Sequence, residues 1–438
     1  MNKQNENSSP RERPGWMIGK NVDEVAFCEE FLREHPLVCV QGVFYSTKGR
    51  VPDERLLEQQ IYEKLRPWAK SSVASLVDRL LALLRKHCWQ ESLPLYQDRI
   101  LLAEGTLWLD GGFTQDVCFC RNRLPVYYDP GGPAPQRWLD FLKDLLYEED
   151  IPILQEYLGY CLLPTTKAQK MLMLVGRGGE GKSRIGAVVR AIFGESMVQN
   201  SLAKIETNRF ARADLEGMLV MVDDDMQMEA LPQTNYIKAI VTAELPMDLE
   251  KKSKQSYQGE LYVRFLGFGN GSLRALYDRS EGFFRRQIIL NVKPKDPNRT
   301  DDPDLSVKLV KERDAIFLWC FEGLQRLRAN RYRFTESKHS REALRAAYQD
   351  ANNLYAFLRS KGYISFYQEA QCSTKELYQA YKLWCDDNTS NPLSAKSFVG
   401  WIIEHQEQYG LRYTNSIYLP GGRRVRGFLG VEPTMRLI

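Results

Sequence analysis

The sequence has no apolar run of the length needed to cross a bilayer, which excludes a helical membrane anchor as an expectation. It has no Cys-x-x-Cys pair either. The nine cysteines are scattered, and Val117-Cys118-Phe119-Cys120 alternates like a strand, so neither a disulfide framework nor a zinc site is indicated. Free buried thiols in a reducing cytoplasm are the expectation. Strong charge of one sign is also missing. A formal net charge of +4 does not call for a polyanionic partner, so any nucleic-acid site must come from local basic clusters. There are no internal repeats and no low-complexity tract. Residues 1–15 lack the apolar middle of a secretory signal and read as a disordered lead-in.

The chain has 438 residues, 43% of them hydrophobic and 26% charged. That is the profile of globular material in more than one domain. Residues 16–150 read as an α/β domain. Val73, Leu76, Val77, Leu80, Leu81 and Leu84 recur at helical spacing, and Arg99–Leu102 and Thr106–Leu109 read as short strands around Glu104-Gly105. Over residues 151–295 short apolar runs alternate with helical segments, which predicts a mostly parallel sheet. Met171–Val175, Met218–Val222 and Gln287–Leu290 are its expected strands. Residues 296–340 read as a helical linker region and residues 341–438 as a separate small module.

The segment Gly176-Arg177-Gly178-Gly179-Glu180-Gly181-Lys182-Ser183 matches the nucleotide-binding P-loop pattern. An apolar strand precedes it, and Ile185, Val188, Val189, Ile192 and Phe193 give the buried stripe of a helix after it. Glycines let backbone N–H groups turn inward around phosphate oxygens. A helix N-terminus adds partial positive charge, and Arg184 in its first turn is a further nucleotide-binding candidate. Lys182 is expected at the β and γ phosphates of ATP and the Ser183 hydroxyl on Mg²⁺.

Asp223, Asp224 and Asp225 end an apolar strand downstream. Adjacent carboxylates repel unless a cation or solvent relieves them. Asp223 is expected to hold the metal and Asp224 to orient or deprotonate water, with a solvated acidic turn as the alternative. Asn270 ends a further apolar strand, where an amide can position water. Phe283-Phe284-Arg285-Arg286 precedes the last strand, and an arginine there, Arg285 in preference to Arg286, can stabilise charge on a neighbour's nucleotide.

This order of features resembles the superfamily 3 helicases. More closely it resembles the helicase part of the phage and plasmid primase-helicases, related to the poxvirus-type helicase-primases. The residues that carry the resemblance are Gly176 to Ser183, Asp223-Asp224, the Lys-rich segment after Ile237, Asn270 and Phe284-Arg285-Arg286, with Glu104–Leu107, Arg121–Pro125 through Asp129-Pro130, and Gln155–Tyr160 upstream. The resemblance implies an AAA+-type P-loop core and a hexameric ring with ATP sites between subunits. It also implies translocation on single-stranded DNA, driven by a hairpin that here would lie within residues 245–259 and carry Lys251, Lys252 and Lys254. Thr242-Ala243-Glu244 stands where the family often has Gly-Gly-Asp, which puts the hairpin entry in doubt. No upstream segment offers a primase's acidic metal-binding pattern, so a separate primase or replication protein is a possible partner.

In the last module Ser373-Thr374-Lys375-Glu376 forms a capping box. Two helices follow, and then two strands around Pro420-Gly421-Gly422. That pattern predicts a winged helix-turn-helix, with Lys396 near the major groove and Arg423, Arg424 and Arg426 on phosphates. Three functions remain open from the sequence: an ATP-driven DNA helicase of a mobile element, an ATP-regulated DNA-binding initiator without unwinding, and a P-loop ATPase of another kind.

Overall fold

A computed structural model describes residues 13–69, 71–226, 231, 233–252, 255–271, 281–351, 353–418 and 422–434. The expected disordered lead-in therefore lies mostly outside the described residues, as does Lys254. The chain divides into two compact units. One takes the described residues of 1–276 and 285–343, the other those of 277–284 and 344–438.

The first unit is a mixed α/β structure built on a parallel sheet. Its strands are β1 (Met171–Val175), β2 (Met197–Gln199), β3 (Val220–Met226), β4 (Arg264–Gly269) and β5 (Gln287–Asn291). They lie in the order β2-β3-β4-β1-β5 and every pair is parallel. Parallel strands are covered on both faces, which is why β1 reads Met-Leu-Met-Leu-Val without alternation; Met171 to Leu174 are fully buried. Helix α1 (Ser183–Phe193) follows β1 and buries Ile185, Val188, Val189, Ile192 and Phe193, the stripe read from the sequence. Because all five strands run the same way, their carboxyl ends share one edge of the sheet, where α/β folds place ligands.

The expected domain 16–150 is split between two cores. Helices Glu24–Glu34, Arg55–Leu65 and Val73–His87 enclose a separate core around Phe27, Phe31, Ile61 and Leu80. Leu102, Leu124, Trp138 and Leu158 instead share the core of the large sheet with Leu174, Val188 and Leu266. The stretch expected as a linker is also part of this body. Helix Arg313–Ala329 puts Phe317, Cys320, Leu324 and Leu327 into the same core. It packs on helix Ile151–Tyr160 at a crossing made by two glycines. A Cβ on Gly159 would lie 2.5 Å from the Leu324 amide N, and one on Gly323 2.5 Å from the Gln155 carbonyl C.

Buried ionic groups tie this assembly together. Glu156 accepts from Arg326 Nε, Thr335 N and Thr335 Oγ1, each at 2.7 Å. Arg264 on β4 is buried and donates to the carbonyls of Cys161 (2.7 Å), Thr165 (3.2 Å) and Tyr262.

The second unit holds helix Asn353–Arg359, β6 (Ile364–Ser373), α2 (Thr374–Asp387), α3 (Ala395–His405), β7 (Arg412–Tyr418) and β8 (Arg424–Pro433). The strands form an antiparallel sheet in the order β6-β8-β7. Its core joins Leu377, Tyr381 and Trp384 of α2 to Phe398 and Ile402 of α3 and to Phe428 of β8. The capping box is present: the Ser373 hydroxyl accepts from the Glu376 N–H, and the Glu376 carboxylate accepts from the Ser373 N–H. Among the described residues no helix is long and apolar enough to cross a membrane.

Candidate functional site

The glycine-rich loop 176–182 leaves β1 at the shared strand edge and enters α1. Gly178, Gly179 and Gly181 have φ of 106°, 78° and 112°, a region where a Cβ is strained. The loop's path therefore requires glycine at these three positions. Two side chains fold into the loop. Lys182 Nζ donates to Glu180 Oε2 at 2.8 Å, and both residues are buried. The Glu180 carboxylate also accepts from the N–H groups of Arg177 and Gly178. Burial raises the Glu180 carboxyl, but Lys182 and the loop N–H groups outweigh it and hold the group below the usual carboxylate value.

The three aspartates do not face the same way. Asp223 pairs with Gly267 of β4, and the register then slips, so that Met226 pairs with Gly269. This bulge inserts one extra residue and re-aims the side chains beside it. Asp223 is buried and its Oδ2 accepts from the Leu202 N–H at 2.8 Å. Burial, then the charges of Asp225 and Asp224, push its carboxyl above the usual value against the N–H groups that bind it. Asp224 and Asp225 are exposed and line the cavity beside the loop. The cavity-facing acid is thus Asp224, with Asp225 next to it, and Asp223 buttresses the strand end against residue 202.

Asn270 follows β4 and lines the same cavity. The structure therefore brings together Gly178, Gly179, Gly181, Lys182, Ser183, Arg184, Asp224 and Asn270 around a space of about 830 Å³. Arg184 donates to Ser306 Oγ at 2.8 Å. Arg285 is exposed and does not line this cavity; its backbone carbonyl accepts from Lys170 Nζ.

Sequence reasoning missed one wall of the cavity. Arg299, beyond β5, donates to the carbonyls of Glu180 (2.9 Å) and Gly179 (3.4 Å) and pairs with Asp301 at 3.1 Å. Phe141 and Leu305 add apolar surface, and Arg137 and Lys308 add charge. The reading of residues 296–340 as a linker region gave no signal of this, because a loop's destination is not written in its local pattern.

The expected hairpin is present as antiparallel strands Met247–Leu249 and Tyr257–Gly259. Lys252 is exposed. Lys251 is half-buried and held by Glu216 Oε2 at 3.1 Å, an oxygen that also accepts from Tyr257 Oη at 2.7 Å. In the second unit Lys396, at the start of α3, and Arg423, Arg424 and Arg426 are all exposed. Arg424 Nε donates to Ser416 Oγ at 2.9 Å.

Residues 174–286 match a family model described as a family of unknown function, DUF5906. The fold is similar to solved structures of the NrS-1 C-terminal region. One apo structure of residues 305–718 matches with a TM-score of 0.53 at 10% identity, covering 93% of this chain and 99% of that one. An A-form apo structure matches with a TM-score of 0.51 at 10% identity, covering 92% and 98%. At this identity the likeness concerns the fold.

Proposed function

We propose that this chain is an ATP-hydrolysing DNA helicase of the superfamily 3 type, serving the replication of a phage, plasmid or other mobile element. In this reading the parallel sheet is an AAA+-type P-loop core, and the second unit, with its β6-α2-α3-β7-β8 order, is a winged helix-turn-helix. The observation that carries the reading is the convergence of loop 176–182, Asp224 and Asn270 at the carboxyl edge of a sheet ordered β2-β3-β4-β1-β5. A strand separates the loop strand from the acid strand, and that intervening strand delivers Asn270 between them.

The cavity suits a nucleotide. Its volume of about 830 Å³ lies within the range of small-molecule sites, roughly 300–1,000 Å³. The left-handed glycines place no side chains of their own over the loop, the Glu180 carboxylate covers the Arg177 and Gly178 N–H groups, and α1 adds its positive end. Ser183 and, through water, Asp223 are the residues that would hold Mg²⁺, which when bound neutralises charge on the phosphate oxygens. Lys182 supplies the cation for the terminal phosphates. Asp224, with Asp225 beside it, accepts a proton from the attacking water, and the Asn270 amide orients that water. Arg285, exposed and outside its own cavity, would serve a neighbouring subunit in a ring, for which a hexamer is the expected size. Lys252 and its hairpin would follow the phosphates of single-stranded DNA, a contact that reads charge and not sequence.

A second reading is an ATP-regulated DNA-binding initiator that does not unwind. The engagement of Lys251 by Glu216 and the exposed Arg423, Arg424 and Arg426 favour it. A strand-displacement assay with ATP and Mg²⁺ separates the two. The helicase reading expects unwinding, lost in Arg285→Ala and partly restored when Arg285→Ala and Lys182→Ala subunits are mixed. ATP-dependent DNA binding with no unwinding by the wild-type protein supports the initiator.

A further inference from the structure

Lys182 cannot serve a phosphate and Glu180 at full strength together. Its ammonium sits 2.8 Å from Glu180 Oε2, with Glu180 3% exposed and Lys182 8%. The carboxylate is fixed from behind, since Oε1 accepts from the N–H groups of Arg177 (2.5 Å) and Gly178 (3.0 Å), and Oε2 also lies 3.0 Å from the Gly178 N. From outside, Arg299 holds the Glu180 carbonyl at 2.9 Å. The segment is therefore pinned with a negative charge pointing at the lysine, inside the cavity a polyphosphate would enter. Its depressed carboxyl value means that this charge is present at neutral pH. A like charge within a few ångströms of phosphate oxygens, at an effective dielectric near 20, weakens binding by about tenfold or more.

We propose that Glu180 is a positioning residue that sets the affinity of the loop for nucleoside polyphosphates. Its carboxylate is the resident counter-ion of Lys182, and a nucleotide gains the lysine by displacing it. The proposal rests on the reading of this cavity as a nucleotide site. It assigns Glu180 a role opposite to that of its loop neighbours: they attract phosphate, and Glu180 competes with it. After hydrolysis the same carboxylate would reclaim the ammonium and speed the departure of the diphosphate.

The test is Glu180→Gln, which keeps an oxygen to accept from the Arg177 and Gly178 N–H groups and removes the charge. Binding of ADP with Mg²⁺ is measured by calorimetry, with release timed by stopped flow using a fluorescent ADP analogue. The expected result is a Kd about tenfold lower than wild type and a slower release. Adenosine, which carries no phosphate, should bind both proteins equally. A merely structural role would lower the melting temperature without nucleotide and would not tighten ADP. In a Lys182→Ala background the gain from Glu180→Gln should shrink, because the competition is for that ammonium. Glu180→Asn serves the same comparison should Glu180→Gln fail to fold. ADP binding by the wild type with no gain in either uncharged variant overturns the proposal and leaves the nucleotide site standing. No ADP binding by wild type and variants alike removes the nucleotide site and the proposal with it.

Discussion

Replacing Gly159 with alanine places a methyl group where two helices meet backbone to backbone. The added Cβ would lie 2.5 Å from the Leu324 N, 3.0 Å from the Leu324 Cα and closer still to the Cys320 carbonyl. Unstrained contacts of this kind lie near 3.5–4.0 Å, so helices Ile151–Tyr160 and Arg313–Ala329 must part by roughly 1 Å. Overpacking of this size costs about 1–3 kcal/mol, and the better helix propensity of alanine returns about 1 kcal/mol. The upper half of the range applies, because the clash is with backbone on a helix that cannot rotate away. It is held by Arg326 on Glu156 and by Gln155 Nε2 on the Trp319 carbonyl at 2.8 Å. The net expectation is about 1–2 kcal/mol of lost stability. Gly323→Ala acts on the same crossing, since its Cβ would meet the Gln155 backbone. Once one methyl has parted the helices the second meets less resistance, so the double variant should lose less than the sum of the singles. Urea unfolding of the four proteins, followed by tryptophan fluorescence, gives the numbers. Full additivity, or no loss in Gly159→Ala, would refute the account of this crossing.

Asp224→Asn should abolish ATP hydrolysis while leaving nucleotide binding and melting temperature near wild type. Asp223→Asn removes a buried charge and keeps an oxygen for the Leu202 N–H, so stability at neutral pH should hold or rise while hydrolysis falls only in part, as measured by thermal melting and phosphate release. Arg264→Met leaves the carbonyls of Cys161, Thr165 and Tyr262 without this donor and should cost about 3 kcal/mol or more in urea unfolding. Asp150 is fully buried, and burial raises its carboxyl above the usual 3.8, partly offset by the Ser337 hydroxyl and by His339. A folded-state value above the unfolded one means that the folded state holds the proton more tightly. Its contribution is present below about pH 4 and is lost as pH rises through the raised value. The fall in melting temperature from pH 4 to pH 7 should accordingly be smaller in Asp150→Asn than in wild type.

Loop 176–182, the strand before it and the helix after it were legible because each is a local pattern with one period. The hairpin at 247–259 and the Ser373–Glu376 cap were legible for the same reason. The orientation of the aspartates was not. It depends on a bulge between Asp223 and Met226 that exists only because β4 pairs alongside with a different count. Arg299 was invisible because its partners, the carbonyls of Gly179 and Glu180, are 120 and 119 positions away. Strand β6 escaped notice because residues 366–369 are all exposed, which breaks the alternation of a half-buried strand. The stretch 296–340 read as a linker because its apolar residues had no visible partner. Gly159 and Gly323 become a close crossing only when two distant helices are laid together.

A single hydrolytic site formed by Lys182, Asp224 and Asn270, with turnover driven by DNA, is the proposal to test. The direct measurement is phosphate release from ATP with and without single-stranded DNA, for wild type and Lys182→Ala. DNA should stimulate wild-type turnover, and Lys182→Ala should show none under either condition. Equal turnover in Lys182→Ala and wild type would contradict it.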